Sequence, residues 1–217
     1  MDRESRVISQ NDIVKKFNEE TEFSTVSRSS IQSVNSGRPF SNSLPMRQKS
    51  ERLSWQRSAV LVGFIEKSDM PHLVLTKRTA KLLKHSGQIA FPGGKREARD
   101  TSDEMTALRE AHEEIGLEPE YFTKLGELDF YYTSTGFEIR PVVGLIEAGA
   151  EFVKNDDEVD EIFTVPLSFV LDPKNYVIVS KKSGAEKRSF YALSFDNHYI
   201  WGATAAMIRS LAERLSR

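Results

Sequence analysis

GGKREARDTSDEMTALREAHEEIGL, residues 93–117, divides into a glycine turn, a polar loop and one helix. Thr101 and Glu104 stand in the capping-box relation, and Gly116 follows the last apolar position, so a helix is predicted over 102–115. At helical spacing Glu110, Glu113 and Glu114 share one face, with Asp103 and Thr106 further up the same side. Met105, Leu108 and Ile115 lie opposite and are expected in the core, with His112 packed among them. Carboxylates crowded into one turn repel one another unless a cation sits among them, and oxygen-rich sites of this kind suit Mg2+ or Mn2+. A solvated acidic face on a surface helix is the alternative for an acidic cluster standing alone.

Working outward, the chain has 217 residues, 39% hydrophobic and 29% charged, enough for one sizeable core. A net charge of −2 argues against a broad basic surface for nucleic acid, while leaving room for a small phosphate-rich ligand. The absence of cysteine excludes disulfides, thiolate zinc sites and a cysteine nucleophile, and it fits a reducing compartment. No stretch approaches the length of a membrane span. The N-terminus carries Asp2, Glu4, Glu19, Glu20 and Glu22, lacks the apolar block of a secretory signal and is too acidic for a transit peptide; a cytoplasmic location is expected.

Residues 1–55 read as an N-terminal extension and 56–217 as the compact domain. In the extension Asn11 is expected to cap a short helix over 12–17, whereas 24–50 is rich in Ser, Arg, Asn and Gln and poor in apolar residues. This segment is expected to be partly mobile or to wrap over the domain, and it is a candidate element for a homodimer. Strands are predicted at 58–65, 73–76, 88–91, 124–132, 140–146 and 161–165, with a turn at 67–71 and a short helix from Pro166. A hairpin is expected from 176–180 and 189–195, and an amphipathic helix over 203–217 with Met207, Ile208, Leu211 and Leu215 on one side. Mixed strands with helices before and after suggest an α/β sandwich.

Arg109-Glu110, Glu113-Glu114 and Gly116-Leu117, preceded by Phe91-Pro92-Gly93-Gly94, resemble the Nudix hydrolase signature, with Asp100 where that pattern has its first Glu. The resemblance implies an α/β/α sandwich with a mixed sheet and a loop-helix-loop catalytic motif. It also implies a Mg2+- or Mn2+-dependent diphosphatase. In that reading Glu113 and Glu114 ligate the metal together with the Gly93 carbonyl, and Glu110 is a ligand or the general base. Arg109 orients the glutamates, and Glu158, or else Glu161, completes the site from a later loop. The upstream stretch LVLTKRTAKLLKHSGQIAFPGG, 73–94, resembles the extra signature of the coenzyme A pyrophosphatase branch, with Thr79 for Ser and Leu83 where Arg is usual.

Lys77, Arg78, Lys81, Lys84 and His85 concentrate positive charge just before the acidic helix. Of these, Arg78, His85, Lys77 and Lys84 are the candidate contacts to a small-molecule diphosphate substrate; a solvated basic loop is the alternative. His85 serves equally well as a turn-stabilising residue. Tyr199 and Trp201, expected at the start of the C-terminal helix, are candidates either to stack on adenine or to pack in the core. The function implied is hydrolysis of coenzyme A or its thioesters. The rivals are another diphosphate such as ADP-ribose, NADH or a nucleoside triphosphate, and a nucleotide-sensing domain without turnover.

Overall fold

The apolar run at 58–65 lies in the middle of the sheet, as β1 (Gln56–Lys67). Its burial is continuous rather than alternating because both of its faces are covered. Ala59, Leu61 and Ile65 enter one apolar cluster, and Val60, Val62 and Phe64 another. The structure, a computed structural model, describes residues 8–24, 55–81, 85–183 and 186–217. Most of the Ser-rich stretch, Lys84 and the 184–185 tip of the expected hairpin lie outside the described residues.

Ser68 and Asp69, at φ 50° and 61°, turn β1 into β2 (Met70–Arg78), the positive φ values being those of a tight two-residue hairpin. β2 also pairs with β3 (Ile89–Ala90) and β8 (Val159–Pro166). On its other side β1 runs parallel to β7 (Phe137–Ile146), which carries β5 (Phe122–Glu127) and β6 (Tyr131–Tyr132). β1 changes partner along its length. Residues 64–67 lie opposite 70–73 of β2, whereas 58–60 lie opposite β4 (Gly93–Lys95), so the sheet forks between β2 and β4. The glycines expected to form a turn are therefore extended. A side chain at Gly93, with φ 154°, would strike the Ala59 carbonyl and Val60. Among the described residues this is one eight-stranded mixed sheet, beside a three-stranded antiparallel sheet of β9 (Val177–Ser183), β10 (Glu186–Phe195) and β11 (His198–Trp201).

α2 (Asp103–Ile115) covers one face of the large sheet, while α4 (Gly202–Leu215), α3 (Leu167–Leu171) and α1 (Gln10–Ser24) cover the other, giving the expected α/β/α sandwich. Met207, Ile208, Leu211 and Leu215 of α4 are all buried, as their spacing required. α1 begins two residues earlier than expected and runs on to Ser24. Ser9, not Asn11, caps it: the Ser9 hydroxyl accepts from the Asp12 N–H at 3.2 Å while the Asp12 carboxylate accepts from the Ser9 N–H at 3.0 Å. Ile13 and Phe17 are fully buried with the α4 residues, so this part of the extension wraps over the domain. Among the described residues no helix is long and apolar enough to cross a membrane.

Three expectations about α2 and the C-terminal region are corrected. Ser102 rather than Thr101 caps α2, its Oγ accepting from the Met105 N–H at 3.1 Å; Thr101 turns to the Met105 sulfur, and Glu104 accepts from Lys124. Met105 is 45% exposed and His112, facing Glu118, is also exposed. The packed row is Ala107, Ala111 and Ile115, because small residues let the helix settle closely on β1, and that row carries Glu114 inward with it. Tyr199 and Trp201 lie in β11, whose last residue, Trp201, is also the N-cap of α4; both are exposed rather than packed in the core, with Trp201 5.3 Å from the Phe190 ring.

Candidate functional site

The inner end of α2 lies over the fork. Glu114 is 2% exposed; its Oε1 accepts from Arg78 Nη1 at 3.1 Å and its Oε2 from the Gly93 N–H at 3.1 Å. One arm of the fork thus supplies a guanidinium and the other a peptide N–H to the same carboxylate. Burial, against those two contacts, pushes the Glu114 carboxyl up to about 7. One turn earlier Glu110 lies against Gly94, where a Cβ would overlap its carboxylate, so only glycine lets that acid reach the fork. Burial raises Glu110 as well. The charge of Glu158 adds to the raising of both groups, which sets its carboxylate on their side of the molecule.

Arg109 joins the outer acids. Its Nη1 lies 3.0 Å from Glu110 Oε1 and donates to Glu113 Oε2 at 2.9 Å, the i to i+4 pairing expected from sequence. Nε and Nη2 donate to the two oxygens of Asp100 at 3.1 and 3.0 Å, and Nη2 also reaches the Lys95 carbonyl at 2.8 Å. Asp100 accepts further bonds from the Thr106 hydroxyl and the Glu97 N–H. The Arg109 guanidinium, aided by those donors, holds the Asp100 carboxyl down at about 2. Asp100 is therefore the anchor of Arg109, a role its position in the signature left open. Arg99 also reaches Glu113, at 3.1 Å, and sequence reasoning did not single it out; only the density of arginines in the loop pointed to it.

The anchor has a pH signature. A group whose folded value lies below its ordinary 3.8 contributes stability that is complete above that value and is lost as pH falls toward 2. Asp100→Asn is expected to lower the unfolding free energy by about 2 kcal/mol at pH 7. Urea titrations at several pH values should show the gap between parent and variant closing from pH 4 downward; a gap independent of pH would mean that the aspartate charge is not what matters.

The other expected residues are distributed as follows. Arg78, expected on substrate, is paired with Glu114. Lys77 pairs at 2.9 Å with Asp160 on the exposed edge. His85, at φ 59°, has its Nδ1 2.8 Å from Gln88 Oε1, as a turn-stabilising residue would. Lys84 lies outside the described residues. Glu161 faces His198 at 3.0 Å, whose ring stacks on Phe163, whereas the Glu158 carbonyl accepts from the Thr79 N–H at 2.9 Å, next to Arg78.

No group of three or more acidic or histidine side chains among the described residues is gathered closely enough to hold a metal ion as it stands. The guanidinium groups of Arg78 and Arg109 meanwhile hold oxygens of Glu114, Glu110 and Glu113. The donors fit Mg2+ or Mn2+ in kind: they are all hard oxygens, and the cradle at Gly94 keeps Glu110 beside the peptide of Gly93.

The family model described as the NUDIX domain matches residues 55–183. A Pectobacterium atrosepticum protein described as an uncharacterized Nudix hydrolase, NudL, is 40% identical over 161 residues, 74% of this chain and 84% of that protein. NudL of Yersinia pestis is 39% identical over 161 residues, 74% of this chain and 80% of that protein. Among solved structures, a C. elegans Ap4A hydrolase binary complex is similar with a TM-score of 0.49 at 14% identity, over 74% of this chain and 95% of that one. RenU, a Nudix hydrolase from M. smegmatis, gives a TM-score of 0.45 at 22% identity, over 53% and 73%.

Proposed function

This chain belongs to the Nudix hydrolase family, and from that premise we propose that the diphosphate it hydrolyses is that of coenzyme A or its thioesters. Water adds to one phosphorus of the anhydride, and the products are 4'-phosphopantetheine, acylated or not, and adenosine 3',5'-bisphosphate. One observation carries the substrate reading. The stretch 73–94 that resembles the coenzyme A branch runs from β2 through β3 to β4 and so forms both arms of the fork over which the acidic residues lie. The segment with substrate character and the segment with catalytic character meet at Glu114.

Glu110, Glu113 and Glu114, with the Gly93 carbonyl and Glu158, are the proposed ligands of Mg2+ or Mn2+. When bound, the metal neutralises charge on the phosphoryl oxygens and lowers the pKa of the attacking water. Glu110 is also the preferred proton acceptor, since it is close to Gly94 and burial shifts it in the direction that strengthens a base. Arg109, held by Asp100, positions Glu110 and Glu113. Lys77, Lys84, Arg78 and His85 are the proposed substrate contacts.

Product analysis by chromatography and mass, after incubation with coenzyme A, ADP-ribose, NADH and ATP with Mg2+, with Mn2+ and with chelator, tests the reading. Metal-dependent release of adenosine 3',5'-bisphosphate from coenzyme A alone is the expected result. Cleavage of ADP-ribose or NADH instead would overturn the substrate and keep the site, whereas binding without turnover would leave a nucleotide sensor.

A further inference from the structure

We infer that Arg78 is a stand-in cation: it neutralises Glu114 in the metal-free enzyme, gives up that carboxylate oxygen when a divalent cation enters, and only then becomes available to the substrate diphosphate. The inference rests on the proposed role of Glu114 as a metal ligand and goes beyond it by coupling substrate recognition to metal occupancy through one side chain.

The geometry is specific. Glu114 is almost wholly buried, and both of its oxygens are engaged, one by the Gly93 N–H and the other by Arg78. The peptide contact is fixed by the sheet, because Gly93 pairs with Val60 in β1. Oε1 is therefore the oxygen that can change partner. Arg78 is built to let go. Its backbone is pinned, the N–H donating to the Gln88 carbonyl at 2.9 Å and the carbonyl accepting from the Gly87 N–H at 3.1 Å. Its side chain is 24% exposed, and its described bond to an acid runs through a single Nη. Consecutive residues of a strand face opposite sides of the sheet, so the neighbouring cations meet different acids: Arg78, on the Val74 side with α2, meets Glu114, and Lys77 meets Asp160.

Two cations cannot share one buried carboxylate oxygen without repelling each other. A divalent ion also offers a small hard charge where the guanidinium offers a diffuse one, so the oxygen passes to the metal. The freed guanidinium is tethered at the tip of β2, on the arm of the fork facing β4. There its planar set of N–H donors is matched to two oxygens of a diphosphate. The order of events follows: metal first, then substrate, with Arg78 contributing to substrate affinity only in the metal-loaded protein.

Isothermal titration with Mg2+ alone at pH 8.5, where protons compete least for the carboxylates, tests the competition. Arg78→Gln is expected to bind Mg2+ several-fold more tightly than the parent, and Arg78→Lys, which keeps a charge beside Glu114, to stay within about twofold of the parent. With Mg2+ saturating, both variants are expected to bind the uncleavable α,β-methylene-ADP about tenfold more weakly, with little difference from the parent when Mg2+ is removed. Tightening of Mg2+ is not what a merely loosened site would show. Unchanged or weaker Mg2+ binding by Arg78→Gln, in a variant that melts like the parent, would overturn the inference; if that variant does not fold, methylene-ADP binding by Arg78→Lys that is equally weakened with and without Mg2+ would do so. Neither readout depends on coenzyme A being the substrate, so failure of the substrate reading leaves this test intact.

Discussion

Glu114→Gln is expected to lower kcat by about a thousandfold with Mg2+ saturating, the several kcal/mol that a bound metal contributes to charge stabilisation in the transition state. The same substitution is expected to leave the metal-free protein as stable as the parent or more so. Glutamine keeps the shape of the side chain and can still accept the Gly93 N–H, so the fork keeps its link to α2. What disappears is a negative charge in a site that is 2% exposed, where ionisation is costly. Arg78 loses its partner but stays open to water. Turnover and thermal melting measured on the same preparation separate the two effects: turnover within tenfold of the parent would remove Glu114 from the metal site, and a large fall in melting temperature would make it a structural residue instead.

The second large effect is on stability and lies outside the stretch matched by the family model. Phe17→Ala should destabilise the protein by about 3 to 5 kcal/mol, lowering the melting temperature by on the order of 10 °C. Phe17 is fully buried from α1; its ring lies against Gly126 of β5, where a Cβ would come within 2.9 Å of it, and beneath the Arg214 guanidinium at 4.0 Å. A methyl group in its place leaves a void that neither the glycine nor the arginine can fill. Because α1 and α2 cover opposite faces of the sheet, kcat at temperatures where the variant is folded should stay near the parent value. A melting temperature within a degree or two of the parent would mean that α1 contributes little to the fold.

The limits and polarity of α2 differ in how far the sequence reveals them. Its end was legible because Gly116 acts through the backbone within one turn, and its start fell within one residue of the expected one although Ser102, not Thr101, caps it. Its buried side was not legible. Periodicity gives weight to large apolar residues such as Met105 and Leu108, whereas packing here depends on Ala107 and Ala111, whose smallness permits close approach and carries Glu114 inward. β4 was hidden because Gly93 and Gly94 carry the residue type of a turn; the sheet uses them for clearance instead. β11 was hidden because its four residues run directly into α4. The acids and their local cation Arg109 could be named from sequence, but not the pairing of Glu114 with Arg78. The partner of Glu114 lies 36 positions earlier in the chain, and nothing local to either residue selects the other.

The parallel pairing of β1 with β7 sets a timetable for the nascent chain. The partners, from Gln56 with Phe137 to Ile65 with Ile146, lie about eighty positions apart, so loop-closure entropy delays this contact. During synthesis β1 emerges as an eight-residue buried-type run well before β7 exists to cover it, and its hairpin with β2 leaves the opposite edge open. The acidic helix is made within that interval, so its packing surface on β1 is complete only after the ribosome has passed Ile146. Growth conditions that slow elongation between these strands lengthen the exposure of an aggregation-prone edge.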